Sequence, residues 1–118
     1  MAKNFIKPGD HLTYTAGADT ASGAGVLLGT VLGVSLTAVG NGASGEAAVE
    51  GVWEMPKLST AVIAAWARPT WDVSAGEFIV ALPATGDLLN GAIAVEAAGN
   101  GTTTVKVRLL PGAGSLSA

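Results

Sequence analysis

Glu46-Ala47-Ala48-Val49-Glu50-Gly51-Val52-Trp53-Glu54-Met55 is the stretch that decides the fold. Its odd positions, Ala47, Val49, Gly51, Trp53 and Met55, are apolar or small. Its even positions, Glu46, Ala48, Glu50, Val52 and Glu54, are largely acidic. Successive side chains of a strand point to opposite faces, so this alternation predicts one half-buried strand over 46–55. The glutamates also recur with the spacing of a helix face. Gly51 and the β-branched Val49 and Val52 favour the strand, because they are poor helix formers and fit a pleated surface.

The same period returns near the C-terminus. Thr103, Val105, Val107 and Leu109 face one way, and Thr104, Lys106 and Arg108 face the other, which predicts a strand over 102–110. Further strands are expected at 11–15, 26–28, 31–38, 77–82 and 92–97. Turn signals separate them: Pro8-Gly9-Asp10, Gly23-Ala24-Gly25, Gly40-Asn41-Gly42, Thr85-Gly86-Asp87, Asn90-Gly91 and Gly99-Asn100-Gly101. Residues 71–78 read as a hairpin corner in which Asp72 accepts backbone hydrogen bonds. Residues 59–67 fit a strand or a short helix capped by Ser59. No long segment has a helical period. The expected fold is all-β, a small single-domain barrel or sandwich of short antiparallel strands with Gly-rich turns. Residues 1–8 are expected to form an N-terminal arm, 9–111 the β domain, and 112–118 a mobile C-terminal tail.

Composition narrows the function. The chain has 118 residues, enough for one ordinary domain with its own core. Charged residues make up only 13%, against about 25% in typical domains, while 49% are hydrophobic. So few charges leave a surface that is commonly covered by a partner. The net charge of −3 and the lack of a basic stripe argue against nucleic acid. No cysteine is present for disulfides or thiolate chemistry. The apolar run 26–39, broken by Gly29 and Gly33, is shorter than the about 20 residues of a membrane helix and reads as buried strands.

Little in the sequence points to catalysis. His11 is the only histidine, and no Gly-x-Ser-x-Gly elbow accompanies it. One histidine without cysteine does not make a zinc site. On one strand face, Glu50 and Glu54 would stand about 13 Å apart, too far for an acid–base pair. Their expected role is a solvated face, paired across strands with Lys106 and Arg108. No phosphate loop exists, since no lysine lies between Lys7 and Lys57. No enzyme activity, cofactor or metal is therefore expected. Trp53 falls on the apolar face of its strand and is expected in the core. Trp66 and Trp71 flank Arg68-Pro69 and suit either the core or an interface, where Trp is enriched.

Several fragments in order carry a resemblance. They are Ala2-Lys3-Asn4-Phe5-Ile6-Lys7-Pro8-Gly9, Gly33-Val34, Glu50-Gly51-Val52-Trp53-Glu54-Met55-Pro56-Lys57, Trp71-Asp72 with Gly76, Gly91-Ala92-Ile93-Ala94, and Thr104-Val105-Lys106-Val107-Arg108-Leu109. Over residues 2–110 the chain resembles the DUF2190-type family of bacteriophage capsid decoration, or cement, proteins. The resemblance implies a structural protein of the virion that binds the major capsid protein on the outer capsid surface. It also implies assembly in the bacterial host cytoplasm and a homotrimeric state. It supplies no catalytic residues. Some members carry a recombinase label, which the missing phosphate loop contradicts. Where relatives have Gly-Asp before an aromatic-Trp-Asp, this chain has Ala67-Arg68-Pro69-Thr70-Trp71-Asp72, a departure in one loop.

The expected contact residues are Asn4, Phe5, Ile6, Lys7 and Pro8 of the arm, and Trp66, Arg68 and Trp71 of the loop. The arm is expected to add a strand to a neighbouring sheet edge. The alternative is a carbohydrate- or host-binding module on the virion surface, with Trp66 or Trp71 as the stacking platform.

Overall fold

A computed structural model describes residues 4, 6 and 8–118. The chain forms eleven short strands: β1 (His11–Thr15), β2 (Gly25–Leu28), β3 (Val31–Ser35), β4 (Ser44–Ala48), β5 (Val52–Pro56), β6 (Thr70–Asp72), β7 (Glu77–Ile79), β8 (Leu88–Leu89), β9 (Ala92–Ala94), β10 (Thr104–Leu109) and β11 (Ser115–Leu116). They make three antiparallel sheets, ordered β1-β4-β3-β2, β5-β10-β9 and β11-β8-β6-β7. No helix occurs among the described residues, so the all-β expectation holds. The body is elongated, 49 × 33 × 27 Å.

The stretch 46–55 is not one strand. It is the end of β4 and most of β5, which lie in different sheets. Gly51 stands at the crossing with φ +102°, a conformation that costs a residue with a Cβ. Its carbonyl accepts from Leu109 N–H (3.0 Å), so the corner is anchored on β10. The Trp53 indole N–H donates to Glu50 O (2.9 Å) and braces it from the other side. Apolar alternation runs unbroken through the sequence because both halves bury side chains, but against different neighbours. Ala48, expected on the wet face, is buried, since β4 is an inner strand and Ala48 stands in register with Val34 on the face turned to the main core.

The three glutamates consequently do not share a face. Glu46, in β4, bonds His11 Nδ1 (2.9 Å) and accepts the Thr13 hydroxyl on β1. Glu50 lies exposed at the corner, and Glu54 lies exposed on β5. The expected cross-strand ion pairs are also revised. Lys106 sits opposite Glu54 in register but pairs with Glu96 (3.5 Å), and Arg108 sits opposite Val52.

The corner at 71–78 forms as expected. Asp72 Oδ1 accepts from Ser74 N–H (3.1 Å), Ser74 Oγ–H (2.9 Å) and Ala75 N–H (3.2 Å), and the β6–β7 hairpin closes behind it. Segment 59–67 is neither a helix nor a strand. It runs beside β9 through one bridge, Ile63 to Ala98. The tail, expected to be mobile, instead carries β11, which pairs with β8. Ser117 closes the arrangement, donating to Asp87 O (2.8 Å) and accepting from Gly86 N–H (3.0 Å).

The main core joins Leu32 and Val34 of β3 to Met55, Ile63, Trp71, Phe78, Leu88 and the inward residues of β9 and β10. A smaller cluster of Tyr14, Ala16, Val39 and Ala47 covers the opposite face of the β1-β4-β3-β2 sheet. Lys57 is 3% exposed. Its ammonium donates to Leu58 O (2.9 Å), Ser59 O (3.4 Å) and Thr102 O (2.7 Å), so its three hydrogens tie two loops together.

Candidate interaction surface

Residues 61–67 hang on the outer edge of β9. Ile63 and Ala98 exchange backbone hydrogen bonds (2.9 and 2.8 Å). Farther along, Trp66 N–H donates to Ala94 O (2.7 Å), and Ala94 N–H donates to Ala67 O (2.8 Å). Between these points the chain makes a tight turn closed by Ala67 N–H on Ala64 O (3.2 Å). Trp66 occupies its third position at φ +70°, where a turn ordinarily needs Gly or Asn. Holding a non-glycine residue there costs about 1–3 kcal/mol, so the surrounding hydrogen bonds must hold the turn in place. Trp66 is 68% exposed. Alternate residues explain the presentation: Ala61 and Ile63 point into the core, and Val62 points out, 62% exposed.

The expected contact residues therefore separate. Trp66 and Arg68 lie exposed on one edge. Trp71 lies in the main core at 3% exposure, its ring edge-on to Phe78 with centroids 4.9 Å apart. Pairing of β6 with both β7 and β8 carries Trp71 inward, so its indole is not offered to a partner. In the arm, Asn4, Ile6 and Pro8 are exposed, Ile6 at 86%. Phe5 and Lys7 lie outside the described residues. Trp53, expected in the core, is half-buried and packs against it.

Sequence reading missed Leu82, which is exposed with φ +53° just before Pro83, and Val80 beside it. Nothing local signals it, because a proline ordinarily holds the residue before it in extended backbone at negative φ. An open cleft of about 640 Å³ lies between Glu50, Arg108 and the backbone of 109–113. Its lining has no hydroxyl, thiol or imidazole to act as a nucleophile. Among the described residues no three His, Cys, Asp or Glu side chains gather as metal ligands.

The described surface exposes large apolar side chains, among them Ile6, Val62, Trp66 and Leu82, on a sheet scaffold. A family model described as "Phage cement protein" matches residues 6–109. The chain belongs to the phage cement protein family. Cement-family membership makes it a structural component associated with the phage capsid. The match starts inside the arm and ends with β10, so it spans all three sheets but not β11. No curated protein compared with the chain matches it.

Proposed function

We propose that this protein attaches as a homotrimer to the outer surface of an assembled capsid, binds the major capsid protein there and stabilises the shell without performing catalysis. The family match over residues 6–109 carries this reading. The charge-poor composition and the exposed Ile6 and Trp66 support it. A closed trimer presents three equal contacts at once. After the first contact forms, the others form at high effective concentration, so weak patches add up to firm attachment. Protein that binds only the assembled shell stabilises it by mass action.

The arm is the proposed reach to the capsid, adding its backbone to a sheet edge of the major capsid protein. Deleting residues 2–8 should weaken decoration of purified shells while leaving the thermal unfolding of the free protein unchanged. The arm precedes β1, and its described residues Asn4, Ile6 and Pro8 are exposed. Full decoration by the truncated protein would refute the role of the arm.

A further inference from the structure

The groove beside Tyr14, Val26 and Val73 stands open, whereas the edge of β8 is covered by the chain's own end. After β10, Leu110 N–H donates to Gly91 O (2.9 Å), and Ala113 N–H donates back to Leu110 O (3.2 Å). Pro111 and Gly112 stand between them, Gly112 at φ +91°. Proline in second place and a positive-φ glycine in third are the residues of a type II turn. The turn folds residues 113–118 back onto the body. There Ser115 and Leu116 pair with Leu89 and Leu88, and the main chain of Ser117 bonds Asp87 and Gly86. Residues 110–118 thus form a strap, which begins just past the residues that match the cement family.

The strap and its seat differ in how firmly they are held. None of residues 111–118 is buried, so main-chain hydrogen bonds rather than an anchored side chain keep the strap down. Segments with few buried apolar contacts open at a free energy well below that of global unfolding. The seat is fixed from its other side. Leu88 is fully buried and stands in register with Trp71 of β6. The buried Asp87 carboxylate accepts from Val73 N–H (3.2 Å) and Ala84 N–H (2.9 Å), which holds 84–87 in shape. Lifting the strap therefore leaves a formed sheet edge, and such an edge is a template for an extended segment. The seat is also selective. A Cβ at Gly114 would overlap the Thr30 carbonyl oxygen and crowd Leu88 Cδ1, so only glycine passes there.

We propose that residues 110–118 are an exchangeable strap: it lifts from β8 when the Pro111-Gly112 turn opens, and the uncovered edge takes the same strap from a second copy. The occupant is decided by what already sits there. A second copy's strap brings the same register, the same main-chain bonds and the same glycine at Thr30. Exchange of an identical element between copies needs no new contact. In the free chain the short tether gives the strap a high effective concentration at its own seat, so the closed form prevails. The inference goes beyond capsid attachment and does not use it.

The chain has no cysteine, so the contact can be trapped as a disulfide. Ser115 and Leu89 are register partners on antiparallel strands, a Cα separation that disulfides span. Ser115→Cys in one copy and Leu89→Cys in a second, distinguished by a mass tag, join when the strap of the first lies on β8 of the second. Deleting Pro111 and Gly112 from both copies removes the turn and should raise the yield of this mixed disulfide about ten-fold or more. Adding Gly114→Ala to the strap-bearing copy should abolish the rise. No rise on deletion, or a rise that survives Gly114→Ala, would overturn the exchange. The wild-type chain gives a second reading that needs no variant to fold. Its Gly86 and Ser117 amides should exchange with solvent about ten-fold or more faster than those of β10, and equal protection would overturn the detachment. Shell decoration is measured apart from both: a chain that never binds shells defeats the cement reading and leaves the strap untouched.

Discussion

The two faces of the β1-β4-β3-β2 sheet bury different material. One face presents Leu32 and Val34 to the main core, where Trp71, Phe78, Met55, Ile63 and Leu88 fill the space. The other carries Tyr14, Ala16, Val39 and Ala47, with Val26 and Leu28 only partly covered. Burial contributes in proportion to apolar area, about 25 cal/mol per Å². Large rings and branched chains therefore hold the first face, and small side chains hold the second only weakly. Hydrogen bonds supplement it: Tyr14 Oη to Ser35 Oγ, and Ser35 Oγ to Thr37 O (both 2.8 Å). The lesson is that one sheet serves as a wall of the main core on one face and carries a smaller, partly open cluster on the other, because its two faces alternate residue by residue.

Three substitutions separate the two regions. Phe78→Ala should cost most, about 3–5 kcal/mol, since it empties the centre of the main core and removes the ring against which Trp71 packs. Chemical denaturation should show the whole domain losing stability in one transition. A loss below about 1 kcal/mol would mean that the large core does not dominate.

Gly45→Ala tests the smaller cluster. A Cβ at position 45 would overlap Val39 Cγ2, and Val39 is a stiff, buried side chain that cannot swing aside. The expected cost is about 1–3 kcal/mol. Amide exchange should accelerate in β1 and β4 while β10 keeps its protection, the pattern of local rather than global opening. Equal acceleration in β10 would show that the two regions open as one.

His11→Ala should have the smallest effect, within about 0.5 kcal/mol by thermal melting. His11 and Glu46 are a surface pair, with side chains 46% and 36% exposed, and Glu46 keeps the Thr13 hydroxyl as a second partner. A larger loss would make the polar side of this sheet a genuine contributor to its stability.

The exposed edge at 66–68 was partly legible beforehand. Trp66 and Arg68 stood out as a Trp and an Arg in a loop-like setting, and both are exposed. Trp71 carried the same signal and went into the core, because the pairing of β6 with β8 is made across intervening chain that no local pattern encodes. The groove at Tyr14, Val26 and Val73 had no signal at all, since its walls come from three separated segments.

The sequence by itself determined the fold class, β1 from His11 to Thr15, the hairpin corner at Asp72 and the family. These rest on local chemistry: period-2 alternation, turn residues and short ordered motifs. Only the tertiary structure decided that 46–55 is two strands meeting at Gly51. Alternation reports that a side chain is buried, not which neighbour buries it, so a chain that leaves one sheet for another keeps its pattern. For the same reason β8 and β11 were invisible. Two-residue strands have no period to read, and they exist only because Leu88 and Leu116 come together from distant parts of the chain.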